Sequence, residues 1–140
     1  MTECFLYVYL CILTMAKNNK IKVSVELKPF HKVWLQKGGE YAFGGGIAEI
    51  LAAIRKTGSI KAAAESLNES YRYVWGRIQK TEEILGVKLI ETTVGGQGSQ
   101  RAQLTDFAQR ILDPFLRFEA NTRKQIDREF NRMMKSIQRK

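Results

Sequence analysis

Two cysteines and a single histidine leave this 140-residue chain poor in metal-binding and redox chemistry. Cys4, Cys11 and His31 cannot furnish the four nitrogen and sulfur ligands of a structural zinc site. Two cysteines are too few for a disulfide scaffold; a bridge between them stays open, and a reducing cytoplasm is the expected setting. Proline is nearly absent, at Pro29 and Pro114 alone. No hydrophobic run reaches the ~20 residues that a membrane-spanning helix needs. The most apolar one, residues 4–16 (CFLYVYLCILTMA), falls short of it, follows Glu3, and lacks the basic leader of a secretory signal. It has three readings: a buried strand or helix, a weak membrane anchor, or an extension ahead of a true start at Met15. Packing or extension is favoured, and no membrane partner is expected. There is no nucleophile–histidine–acid set, no metal spacing and no cofactor fingerprint, so neither an enzyme nor a cofactor is expected. Acidic residues are the minority, 14 against 23 Lys and Arg, for a formal charge of +9. That balance favours an anionic partner, nucleic acid before an acidic membrane surface or protein.

What is present centres on residues 57–86, TGSIKAAAESLNESYRYVWGRIQKTEEILG. Ser59 is an N-cap for a helix over 59–67, and the alanines 62–64 are small enough to let a second helix cross closely. Asn68 and Glu69 interrupt the pattern, and Ser70 caps a second helix over 70–85. There Tyr71, Val74, Ile78 and Leu85 follow a period near 3.6. Gly86 is a stop signal. An ordinary helical hairpin in an unrelated core would also read this way, so the flanks decide.

Upstream, Ile21, Val23, Val25 and Leu27 alternate like a half-buried strand, and Pro29 breaks it or puts it on an edge. Val33–Leu35 and Glu40–Phe43 read as two strands turned by Gly38-Gly39. Trp34 is expected in the core, and His31 is read as structural or solvated. Gly44-Gly45-Gly46 lacks the Lys-Ser/Thr of a phosphate loop and is read as a flexible lead into a helix. That helix, 47–56, has the apolar stripe Ile47, Ile50, Leu51 and Ile54. Downstream, Val87–Thr93 reads as a strand, residues 95–101 as a glycine-rich tip, and Ala102–Leu104 as the returning strand. Thr105 caps a last helix to about 139, striped by Phe107, Ile111, Phe115, Phe118, Ile126, Phe130, Met133 and Ile137. A kink or break is expected at Pro114. Three helices followed by a hairpin make a winged helix-turn-helix. The expected class is therefore mainly α with small β-hairpins. Its division is an N-terminal extension (1–20), a winged unit with an N-terminal hairpin (21–104), and a long dimerisation helix (105–140).

In this order of elements the chain resembles the N-terminal domain of ModE-type molybdate-responsive regulators, relatives of the LysR-type winged helix-turn-helix. The resemblance covers about residues 28–118. It rests on Gly58-Ser59-Ile60 with Ala62–Ala64, Ser70-Tyr71-Arg72 with Trp75, Glu82–Leu85-Gly86, Leu89–Glu91, Gly95-Gly96-Gln97-Gly98, and Ala102 with Leu104-Thr105. The combination of SYRYVW, GGQG and the Leu-Thr pair is its most specific part. It implies a dimeric transcription regulator of bacterial or archaeal type. Full-length ModE proteins carry C-terminal oxyanion-binding domains; this sequence ends at Lys140, so no small-molecule effector domain is expected in it and molybdate binding is not carried over. Ser99-Gln100-Arg101 stands where the family wing is often richer in glycine, so wing contacts are expected to differ.

The expected partner is double-stranded DNA, bound by a homodimer joined through the C-terminal helix. The second helix of the pair lies in the major groove with its N-terminal residues at base edges. Arg72 is the candidate base reader, because its fork suits guanine O6 and N7. Ser70, Tyr71 and Tyr73 share that helix start. Lys61, Arg77 and Lys80 are candidates for phosphate neutralisation, and Gln97, Ser99, Gln100 and Arg101 for wing contacts to the backbone. Trp75 is open between core and groove, with the core favoured. The competing expectation is a winged helix reused as a protein-interaction module.

Overall fold

The computed structural model describes residues 27–94 and 100–138. The apolar run at 4–16, the proposed start at Met15 and the alternating residues 21–25 lie outside them. A short hairpin comes first, β1 (Trp34–Lys37) and β2 (Glu40–Gly44), antiparallel with a register shift between Leu35 and Gln36. Three helices follow: α1 (Gly45–Thr57), α2 (Ile60–Ser66) and α3 (Tyr71–Leu85). A second antiparallel hairpin, β3 (Ile90–Val94) with β4 (Gln100–Leu104), leads into α4 (Asp106–Gln138). The winged order expected from the sequence is thus observed, mainly helical with two small hairpins.

The core lies where the apolar faces of these elements converge. Helix α1 supplies Ile47, Ala48, Ile50, Leu51 and Ile54; Ala63 and Ala64 of α2 approach it closely because they carry only a methyl group. Helix α3 adds Val74 and Ile78, the wing adds Leu89, Ile90, Ala102 and Leu104, and α4 adds Ala108, Leu112 and Phe115. Phe43 of β2 meets Phe115 edge to face, ring centroids 5.1 Å apart at 76°, the arrangement that aromatic quadrupoles favour.

Four expectations need correction. Trp34 is not core: it is 46% exposed, because β1 is exposed throughout and the space beneath the hairpin is filled by Ala42 and Phe43 of β2. Gly45 and Gly46 are not a flexible lead but the first turn of α1. The wing strand begins at Ile90, not Val87, because the backbone at 88 and 89 is held by side chains described below. Pro114 does not break α4, which runs on for 33 residues, about 50 Å at 1.5 Å per residue. The ring sits on an exposed side, beside a groove of about 490 Å³ lined by Leu35, Phe107, Ile111, Phe115 and Phe118.

Candidate nucleic-acid interface

The turn between α2 and α3 is built by capping. Ser59 is the N-cap of α2, its Oγ accepting from the Ala62 N–H at 3.3 Å. Leu67 closes α2, and Asn68 turns the chain in the left-handed region at φ 57°, a conformation asparagine tolerates better than most residues. The Glu69 N–H returns to the Ala64 carbonyl at 3.0 Å. Ser70 then caps α3, accepting from the Tyr73 N–H at 3.1 Å. Both serine caps stand where the sequence put them.

On α3, Val74, Ile78, Thr81 and Glu82 face inward. Arg72, Gly76, Gln79 and Glu83, at steps of four, three and four, are all exposed. Tyr71 is 45% and Tyr73 49% exposed; Tyr71 follows the bearing of the apolar stripe but is the first residue of the helix. Trp75 is 37% exposed, which corrects the expectation of a core tryptophan: it stands 100° round from Val74, at the margin of the buried face.

The root of the wing is tied to this unit at several points. Glu82, buried on the inner face of α3, accepts from the Leu89 N–H at 2.8 Å and the Ile90 N–H at 3.3 Å, and from Lys88 Nζ at 2.6 Å. Thr105 caps α4 by accepting from the Ala108 N–H, and its hydroxyl donates to the Lys88 carbonyl at 2.8 Å. The Ala102 N–H donates to the Gly58 carbonyl at 2.8 Å, joining β4 to the turn ahead of α2. Gly58 itself has φ 68° and closes α1 through a bond from its N–H to the Ile54 carbonyl, a left-handed cap that glycine adopts without strain. In the sequence, Glu82 stands only among the residues that carry the resemblance, with no role of its own. Its signal was a carboxylate four residues after Ile78, on the side of the helix that must be buried.

The first hairpin braces α3 from the other side. Lys37 Nζ donates to the Leu85 carbonyl at 2.8 Å, capping the C-terminus of the helix, where the macrodipole favours a cation. The guanidinium of Arg77 lies 5.5 Å from the centroid of the Tyr41 ring. Arg77 is half-buried, and its Nε is enclosed with no hydrogen-bond partner among the described residues. Arg77 thus has a cation–π partner in the hairpin, whereas Arg72 is exposed.

The remaining site residues divide simply. Ser70, Tyr71, Arg72, Tyr73, Lys80 and Lys61 are exposed on α2, α3 and their turn, and Arg101 is exposed on β4. The backbone of Gln100 pairs with Val94. Gln97 and Ser99 lie outside the described residues. Three exposed carboxylates, Glu65, Glu69 and Glu83, share the same helices and turn, so the charge there is mixed rather than uniformly basic. Among the described residues no cluster of three or more His, Cys, Asp or Glu could hold a metal ion, and no helix is long and apolar enough to cross a membrane.

Two capped helices crossing at small residues, followed by a hairpin rooted on the second, define a winged helix-turn-helix. More narrowly, residues 48–109 match the family described as bacterial regulatory helix-turn-helix protein, lysR family. The molybdenum-pterin-binding protein MopB of Rhodobacter capsulatus is 32% identical over 75 residues, 54% of this chain and 28% of that protein. The molybdenum transport protein ModE of Herbaspirillum seropedicae is 36% identical over 63 residues, 45% of this chain and 23% of that protein. The similarity thus spans about a quarter of the length of either relative. Among solved structures, a BenM_DBD/benA site 1 DNA complex is similar with a TM-score of 0.48 and 22% identity, covering 63% of this chain and 95% of that one.

Proposed function

We propose that this chain is a sequence-specific, double-stranded DNA-binding transcription regulator that acts as a homodimer and not as an enzyme. The observation that carries the reading is the start of α3. Ser70 is used up as the cap, which leaves Tyr71, Arg72 and Tyr73 projecting from a helix end held rigidly by its neighbours. A helix end of this kind fits the major groove, and the bidentate fork of Arg72 suits a guanine edge, discriminating by about 1–3 kcal/mol. Lys61, Lys80 and Arg101 then lie on the strands' phosphates, with Gln97, Ser99 and Gln100 of the wing reaching the backbone beside them. The match of residues 48–109 to a regulatory helix-turn-helix family supports the same reading.

Pairing follows from α4. Beyond Glu119 its stripe, Ile126, Phe130, Met133 and Ile137, extends past the domain, with Ile137 61% exposed. A second copy of the helix is the simplest cover for such a stripe. Two copies present two α3 helices to half-sites about 34 Å apart, one turn of the duplex, or a multiple of it.

The test begins with selection of bound fragments from a random duplex pool, followed by comparison of the best fragment with mixed-sequence duplex. Arg72→Ala is expected to weaken binding to the selected fragment far more than to mixed duplex; equal losses on both remove the base-reading role. Affinity is also expected to fall steeply with added salt, because neutralised phosphates release counterions. One observation favours a second reading, a protein-docking module: Tyr71, Tyr73 and Trp75 are exposed together on one helix. Failure to enrich any duplex would move the assignment to that module.

A further inference from the structure

Most glycines of the described structure have an internal reason to be glycine. Gly38, Gly39, Gly58 and Gly86 have φ between 60° and 85°, where a side chain is strained. A Cβ at Gly44 would collide with the Tyr41 side chain. At Gly45 and Gly46, in the first turn of α1, it would make only ordinary van der Waals contacts, with Glu119 Oε1 at 3.4 Å and an Arg77 side-chain nitrogen at 3.7 Å, but a helix's first turn is not its interior. Gly76 is different. It sits in the middle of α3, it has no left-handed φ, and a Cβ built there would meet nothing within 4 Å. Glycine is a poor helix former, so the position weakens α3 without any return inside the fold.

Gly76 also has a particular address. Arg72 precedes it by four residues, Gln79 and Lys80 follow by three and four, and all are exposed. These spacings put the four residues beside one another on the outward surface of the helix. Gly76 is therefore the low point of that surface, flanked by long polar side chains that stand above it. We infer that Gly76 is a close-approach site: the absent side chain lets the backbone of α3 come against the double helix, so that Arg72 and Gln79 reach base edges from a shallower standoff. Gly76 is then a positioning residue, setting how deeply α3 enters the groove. Its effect belongs to the tight, groove-inserted complex, because a loosely held duplex does not meet the backbone of the helix.

This inference rests on the DNA-binding reading above, and the experiment separates the two. The full chain and its Gly76→Ala and Gly76→Gln variants are titrated with the duplex recovered by selection and with mixed-sequence duplex, and their thermal midpoints are measured. Both replacements are good helix formers, and glutamine is polar, so neither adds a greasy patch. Both midpoints are expected to rise, by about 3–6 °C. Affinity for the selected duplex is expected to fall in proportion to size, about 3- to 10-fold for alanine and 50-fold or more for glutamine, the range that one disturbed base contact spans. Mixed duplex is expected to lose much less. Wild-type affinity for the selected duplex in both variants overturns the inference while leaving the DNA reading intact. A fall in thermal midpoint also overturns it, since the side chain would then be meeting something inside the protein. If the unaltered chain enriches no duplex at all, the DNA reading itself is lost.

Discussion

The two halves of α4 obey the same apolar period and meet opposite fates. Ala108, Leu112 and Phe115 in the first half are at most 3% exposed, and Phe115 stacks edge-on against Phe43. In the second half Met133 is 47% and Ile137 61% exposed, and among the described residues no other element covers them. Phe118, at the junction, is already 52% exposed. Helical periodicity thus announces an apolar stripe but does not say what lies on it. The cover of the first half comes from Phe43 and α1, brought there by the fold; the described residues offer none for the second half.

Replacements along the helix sharpen that contrast. The largest effect is expected from Phe115→Ala, which removes the ring from a filled core and is expected to cost about 3–5 kcal/mol in denaturant unfolding; a loss below about 1 kcal/mol would mean that the first half is not core. Pro114→Ala comes next. An interior proline forfeits one backbone hydrogen bond and crowds the preceding turn, so the alanine variant is expected to be more stable by about 1–3 kcal/mol. A decrease would show that the ring's place beside the groove matters more than the missing N–H. Asp113→Ala removes the 2.9 Å pair with Arg55, whose side chains are 45% and 52% exposed, and an exposed pair of this kind is worth at most about 1 kcal/mol. Met133→Asp with Ile137→Asp is expected to change the folding of dilute protein least, within about 0.5 kcal/mol. The same double variant is expected to sediment as a monomer at concentrations where the unaltered chain is a dimer. Monomeric behaviour of the unaltered chain would end the argument for pairing through α4.

The helix-turn-helix was legible because its signals are local. Ser59, Ser70, Gly58 and Gly86 act on residues three or four positions away, and each stands where capping chemistry requires it. The errors share the opposite cause. The exposure of Trp34 and Trp75 depends on which strand of the hairpin and which side of the helix face inward, and neither is a local property. The start of the wing strand was misplaced because Glu82 and Thr105 reach from elsewhere to take the backbone at 88 and 89. The contact of Arg77 with Tyr41 is not legible in the sequence either, because Tyr41 stands in a hairpin some 36 residues earlier, a distance that no period reports.

One consequence of the bonds at Gly58, Glu82 and Thr105 lies in entropy. The strands of the wing leave the domain already fastened at their base, so the separation between β3–β4 and the exposed side of α3 is established before any partner arrives. A ligand that spans both surfaces finds them in place and has little internal freedom to extract from that part of the protein, which leaves more of the contact energy available as affinity.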